Sequence, residues 1–312
     1  MDNKLEVLVV DYGSQTTQLI LRRIREMGIY CEVSSFKSIY NDIRKNKPNA
    51  VILSGGPASA FEKKAPKLDK RILGMDIPIL GICYGMQLIC QSFDSEIRES
   101  RKKEFGKAYI KILKKNILFS GLNIKKKHQV WMSHGDEVAE ISPKFEVIAK
   151  SNDKNITAIV LKREKIFGLQ FHPEVIHTII GEKVFENFLF KVAKIRPNWK
   201  IENFLEDKIK DIEKTIGNNK VVCGLSGGVD SSVTAALLSK AIGNNLICIF
   251  VDHGLLRKGE SEEVVRNFRD YAKAKLIHIR AKKIFLSKLK GIKNPEQKRK
   301  IIGKEFIRIF EK

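Results

Sequence analysis

The sequence predicts an α/β protein in two successive units, each built on a mainly parallel sheet flanked by helices. Three observations lead there. Short apolar runs end repeatedly in glycine turns, and amphipathic stretches follow those turns. The same strand–loop–helix theme then restarts after residue 200. Finally, 312 residues exceed what one hydrophobic core usually covers, so two domains are expected.

Taken in order, Leu5–Val10 is an apolar run ending in Asp11-Tyr12-Gly13, with an amphipathic stretch reaching Gly28. The mixed run Ile29–Ser34 follows. Ala50–Leu53 leads into Ser54-Gly55-Gly56-Pro57, and Ile77–Ile82 leads into Cys83-Tyr84-Gly85 with a helical pattern behind it. Segment 105–171 reads differently. Its alternating runs Ala108–Leu113, Glu146–Ala149, Ala158–Leu161 and Ile166–Phe171 predict antiparallel strands added to the sheet. A helix over about 181–194 closes the first unit (1–195), and 196–203, with Arg196-Pro197-Asn198-Trp199, reads as a linker. The second unit (204–312) starts in an amphipathic helix over 201–216. It continues with the strand Val221–Leu225, a glycine loop, a helix Val233–Ala241 and the strand Leu246–Val251.

At 43% hydrophobic and 30% charged, the chain is neither disordered nor of low complexity. No apolar run approaches the length of a membrane span, and the N-terminus is no signal peptide. Five cysteines without a CxxC pair argue against a disulfide framework or a zinc ribbon and point to a reducing cytoplasm. The net charge of +22 is unevenly spread: residues 273–312 hold 14 basic and 3 acidic side chains, a net of +11. No aromatic residues interleave with that basic segment as single-strand stacking would need, so no specific nucleic-acid partner is expected.

Two motifs carry chemistry. In Gly81-Ile82-Cys83-Tyr84-Gly85-Met86-Gln87, a cysteine stands between a buried strand and a helix. Flanking glycines permit a sharp nucleophile turn, and the helix N-terminus favours the thiolate. Downstream, Phe171-His172-Pro173-Glu174 offers a base with an orienting carboxylate two residues on. Together with the Ser54–Pro57 loop, these residues resemble the class I (triad) glutamine amidotransferases, a resemblance that implies a flavodoxin-like sheet. It further implies that Cys83 attacks the glutamine amide, His172 moves the proton and Glu174 orients His172. The backbone N–H groups of Gly56 and Tyr84 would form the oxyanion hole. Gln87 and the turn Ser133-His134-Gly135-Asp136 would hold glutamine.

The second motif, Ser226-Gly227-Gly228-Val229-Asp230-Ser231-Ser232, follows the strand Val221–Leu225 and precedes a helix. Glycines let the backbone approach an anion, hydroxyls add donors, and the helix N-terminus adds positive potential. No lysine is placed as a Walker A loop requires. The string resembles the pyrophosphate loop of the N-type ATP pyrophosphatases, which implies a doubly wound sheet, MgATP as substrate and Asp252 near the nucleotide. No prosthetic group is expected. His253 has no partner at ligand spacing, so no metal site is expected either.

A triad amidotransferase followed by a pyrophosphate-loop domain is similar to the glutamine-hydrolysing GMP synthase family, as is Asn294–Gly303. The resemblance implies glutamine, ATP and XMP as substrates and a homodimer formed through a C-terminal domain. It also implies that the second domain is incomplete here and that the dimerisation domain lies beyond the 312 residues. The alternatives are a chain acting only as a glutaminase, or a non-catalytic binding remnant.

Overall fold

The computed structural model describes residues 4–161, 165–271 and 274–311. The chain divides into two compact units, Met1–Ile201 and Glu202–Lys312. The first unit alternates strands and helices: β1 (Val7–Asp11), α1 (Thr17–Glu26), β2 (Cys31–Ser35), α2 (Ile39–Asn46), β3 (Ala50–Leu53), β4 (Ile79–Ile82) and α3 (Tyr84–Ser92). Then come β5 (Glu96–Ile112), β6 (Lys127–Glu140), β7 (Phe145–Ser151), β8 (Ile156–Leu161), β9 (Ile166–Leu169) and α4 (Gly181–Glu186). All nine strands form one sheet in the order β2-β1-β3-β4-β9-β8-β7-β5-β6.

The first four strands are parallel and lie between two core layers, and three of them read as unbroken apolar runs. Val7 and Val9 join one core layer and Leu8 and Val10 the other, the layers being separated by the sheet.

Two expectations are corrected. Ile166–Leu169 pairs antiparallel with β8, yet it lies parallel to β4, with Ile79 opposite Ile166 and Ile82 opposite Leu169. The sequence shows a strand there but not its neighbour. The expected turn Ser133–Asp136 lies within the fourteen-residue strand β6. Its alternation is carried by lysine, histidine, glutamine and tryptophan rather than aliphatic residues, so the run does not read as a strand. The helix foreseen at 181–194 is α4 followed by a π-helical stretch, Asn187–Val192.

The second unit follows the start of α5 (Ile201–Ile216). It comprises β10 (Val221–Leu225), α6 (Val229–Ile242), β11 (Leu246–Asp252), α7 (Glu260–Tyr271), β12 (Lys275–Arg280), α8 (Lys282–Leu289) and α9 (Pro295–Phe310). Its three described strands are parallel, in the order β10-β11-β12. A small core of Leu225, Ala235, Leu246, Cys248, Phe250 and Phe268 joins α6 and α7 to the sheet. α9 starts on Pro295, and the Asn294 side chain accepts from the backbone N–H groups of Glu296 and Gln297 at 2.9 and 3.1 Å. Near the other end of α9, buried Glu305 pairs with Lys288 of α8 and with Arg308, at 2.6 and 2.8 Å.

Candidate active site

Four parallel strands of the first unit end on one edge of the sheet, the edge where open α/β folds bind ligands. β1 delivers Ser14 and Thr16, β3 delivers Ser54–Gly56, β4 delivers Cys83, and β9 delivers Gln170 and His172. Because β4 and β9 are adjacent and parallel, Cys83 and His172 leave neighbouring strand ends. A Cβ added at Gly55 would stand 3.1 Å from His172 Cε1 and 3.7 Å from Cys83 Cβ, so this glycine packs into the angle between the two.

Cys83 has φ 52° and ψ −106°, a conformation that costs an L-residue roughly 1–3 kcal/mol. The surroundings enforce it. Its N–H donates to Leu169 O at 2.6 Å, and its carbonyl accepts from Gln87 N in the first turn of α3. Two residues on, Gly85 presses α3 against β3: a Cβ there would meet Leu53 O at 2.5 Å. The thiol of Cys83 receives the Gln170 side-chain N–H at 3.6 Å.

His172 is buried, and its Nδ1 bonds Glu174 Oε1 at 2.7 Å. That nitrogen carries the proton, because the carboxylate can only accept. The same Oε1 accepts from Thr16 Oγ1 at 2.6 Å. Burial disfavours the imidazolium, but hydrogen bonds to Cys83 and Glu174, with the charges of both, outweigh it and push His172 up to about 10. A raised folded-state pKa means stability that is fully present below the unfolded value of 6.5 and lost as pH rises towards about 10. Denaturant unfolding across that window should show this loss. In Cys83→Ala, which removes one of the two partners, the upper end of the window should move to lower pH.

The thiol opens onto a cavity of about 520 Å³ lined by Gly56, Tyr84, Gln87, Lys103, Ser133 and Asp136 among others, within the size range of small-ligand sites. Among the described residues, neither the Gly56 nor the Tyr84 backbone N–H donates to a protein acceptor. Gln87 Nε2 donates to Asp136 O and Gln170 Oε1, both at 3.3 Å, and Ser59 Oγ holds Asp136 Oδ2 at 2.7 Å. Both ring nitrogens of His134 are engaged, with Asp136 O at 2.9 Å and Glu104 Oε2 at 3.1 Å. Its side chain therefore braces β6 against β5, whereas Ser133 and Gly135 border the cavity. Thr16 and Gln170 escaped the sequence reading. Gln170 had a faint signal, a polar residue at the end of an apolar strand two positions before His172.

In the second unit, helix α6 starts four residues earlier than expected, so Val229–Ser232 form its first turn. The preceding turn passes through Gly227 at φ +84°. Ser231 Oγ is 3.0 Å from Ser226 Oγ and 3.2 Å from Ser226 N, and it donates to Gly228 O at 3.0 Å. Ser232 Oγ donates to Gly228 O at 3.0 Å. These bonds close the loop on itself and leave a helix N-terminus at its mouth. Asp252 ends the adjacent strand and accepts from Gly254 N at 2.9 Å. Among the described residues no group of three histidines, cysteines or carboxylates could hold a metal ion.

The family model of the class-I glutamine amidotransferases matches residues 8–192. The chain belongs to this family. A second family model, that of NAD synthase, matches residues 199–298. This amidotransferase chain is 49% identical over 311 residues to the glutamine-hydrolysing GMP synthase of Brachyspira hyodysenteriae. It is 48% identical over 306 residues to that of Carboxydothermus hydrogenoformans. It covers 60% of each relative while 99% and 98% of this chain is aligned, so the chain spans about three fifths of their length. A crystal structure described as a GMP synthase protein from Thermoplasma acidophilum superposes on 62% of the chain and 96% of its own, with a TM-score of 0.54 and 29% identity.

Proposed function

We propose that the first unit of this amidotransferase hydrolyses glutamine at Cys83 and that the ammonia serves ATP-dependent conversion of XMP to GMP. The observation that carries the reading is the convergence of Cys83, His172 and Glu174 at neighbouring strand ends, beside a cavity with two uncommitted amide donors. The Cys83 thiolate attacks the side-chain amide carbon of glutamine. The N–H groups of Gly56 and Tyr84 stabilise the oxyanion. His172 gives its proton to the departing ammonia, then takes one from the water that cleaves the thioester, while Glu174 holds the ring by Nδ1. Gln87, Ser133, His134, Gly135 and Asp136 shape the glutamine cavity, some through their neighbours rather than by contact.

In the second unit, residues 226–232 cradle the phosphates of MgATP, with Asp252 alongside. Adenylation of the XMP C2 carbonyl oxygen releases pyrophosphate, and ammonia then displaces AMP. The match to the NAD synthase model and the names of the two relatives support this half. A cytoplasmic setting suits these soluble substrates, and among the described residues no helix is long and apolar enough to cross a membrane.

Two measurements test the reading. Purified chain should release glutamate and ammonia from glutamine; absence of turnover would overturn the glutaminase assignment. Ser231→Ala and Asp230→Ala should each weaken MgATP binding, by about tenfold for the serine, whose hydroxyl closes the loop. Alkylation of Cys83 should be unaffected in both variants. Unchanged nucleotide affinity would reduce the loop to a structural turn.

A further inference from the structure

We propose that Thr16 is a positioning residue for the triad, its hydroxyl fixing the Glu174 carboxylate in the orientation that lets the same oxygen accept from His172. This rests on the glutaminase reading of the first unit. Three observations carry it. Glu174 Oε1 receives both Thr16 Oγ1, at 2.6 Å, and His172 Nδ1, at 2.7 Å. Glu174 is fully buried as a side chain, and its Oε2 has no hydrogen-bond partner among the described residues, so nothing on that side of the carboxylate resists rotation. The third observation is that Thr16 is itself held in place. Asp11 Oδ1 accepts from Gly13 N and Thr17 Oγ1, at 2.9 and 2.8 Å, which shapes the loop after β1. Ser14 Oγ accepts from Thr16 N at 3.2 Å and lies 2.9 Å from Thr16 Oγ1.

Hydroxyl chemistry sets the direction of this chain. Thr16 has one hydroxyl proton, and the carboxylate can only accept, so that proton goes to Glu174. Ser14 must then donate to Thr16 Oγ1. A donor chain Ser14→Thr16→Glu174 results, each bond polarising the next. The charged or titratable groups around Glu174 are His172 beside it, the Cys83 thiol beyond the ring, and Arg23 of α1. Arg23 donates to the Glu174 backbone carbonyl at 3.2 Å and pairs with Glu26. Asp11 is engaged by Thr17. Thr16 is thus the second donor that locks the carboxylate plane beside His172.

Without that hydroxyl the carboxylate swings, and the imidazolium loses part of the support that raises it. Thr16→Val should lower kcat for glutamine hydrolysis roughly ten- to hundredfold, the scale of one charge-assisted hydrogen bond, with KM within about twofold. An NMR titration of the His172 ring should shift to lower pH by about one unit, equivalent to roughly tenfold in the equilibrium. Thr16→Ser, which keeps the hydroxyl, should restore both. In the Glu174→Gln background, Thr16→Val should cause no further loss of kcat. An unshifted His172 titration in Thr16→Val would overturn the proposal, as would a Thr16→Ser chain as impaired as Thr16→Val, or additive losses with Glu174→Gln. The titration needs no substrate. If the unmodified chain hydrolyses no glutamine, the glutaminase reading fails, and the ring titration still decides the role of Thr16.

Discussion

Cys83→Ala should abolish glutamine hydrolysis, lowering it by roughly 10³-fold or more, while the chain folds as before. The loss is large because no other group can form the acyl intermediate: the amide donors, His172 and the cavity would remain, but with nothing to attack the carbonyl. The fold should survive because the substitution removes only a sulfur atom. Two of that atom's contacts are long ones, with Gln170 Nε2 at 3.6 Å and Ser133 O at 3.7 Å. Alanine also keeps the Cβ, so the unusual backbone of residue 83 changes little. In the proposed complete reaction, added ammonia should still support GMP formation by the protein carrying this substitution. A steady-state glutaminase assay beside a thermal unfolding curve checks both halves. Normal turnover in Cys83→Ala would place the chemistry elsewhere.

Gly85→Ala should have the opposite character, leaving every triad side chain present but the elbow unable to form. A Cβ at this position would lie 2.5 Å from Leu53 O, 2.7 Å from Leu53 Cβ and 2.9 Å from Leu53 C. Most of those atoms are backbone of a central strand, so no side chain can rotate away to relieve the clash. Either α3 lifts off β3 or the turn at Cys83 opens, and the Gly85 N–H to Ser54 O bond is strained in both cases. Overpacking of this kind costs about 1–3 kcal/mol or more. The same movement displaces Cys83 from His172 and shifts both candidate oxyanion donors. We expect a lowered midpoint of thermal unfolding together with glutaminase activity reduced by at least about a hundredfold, since misplacement by about 1 Å can cost that much. A stable, fully active Gly85→Ala chain would show that the tight approach is not needed.

These two substitutions mark what the sequence could and could not reveal. Cys83, His172 and Glu174 stand out because turn residues, glycine or proline, interrupt apolar strands where they occur. Their partnership is harder to read. β4 and β9 are separated by four antiparallel strands in the chain, and nothing local says that β9 returns parallel to β4. β6 hides because its core-facing residues alternate with lysine, glutamine, tryptophan and glycine. β12 hides for a similar reason, with lysine, histidine and arginine spaced between its aliphatic residues. Thr16 is invisible for another reason. Its importance rests on one hydrogen bond to a residue 158 positions away, and a polar loop carries no periodicity from which to infer it. Helix α6 starts early because its first turn is built from Val229-Asp230-Ser231-Ser232, residues that read as loop beside two glycines.

Whether Cys83 is the nucleophile of a glutamine amidotransferase site is tested most directly by mass spectrometry of the chain quenched in acid during turnover with glutamine. We expect a γ-glutamyl thioester on the peptide containing Cys83, absent from Cys83→Ala. No adduct should form on Cys90, which is buried in the same helix with its thiol pushed well above the ordinary range by desolvation. Glutamine turnover without any adduct on Cys83, or with the adduct on another residue, would contradict the assignment.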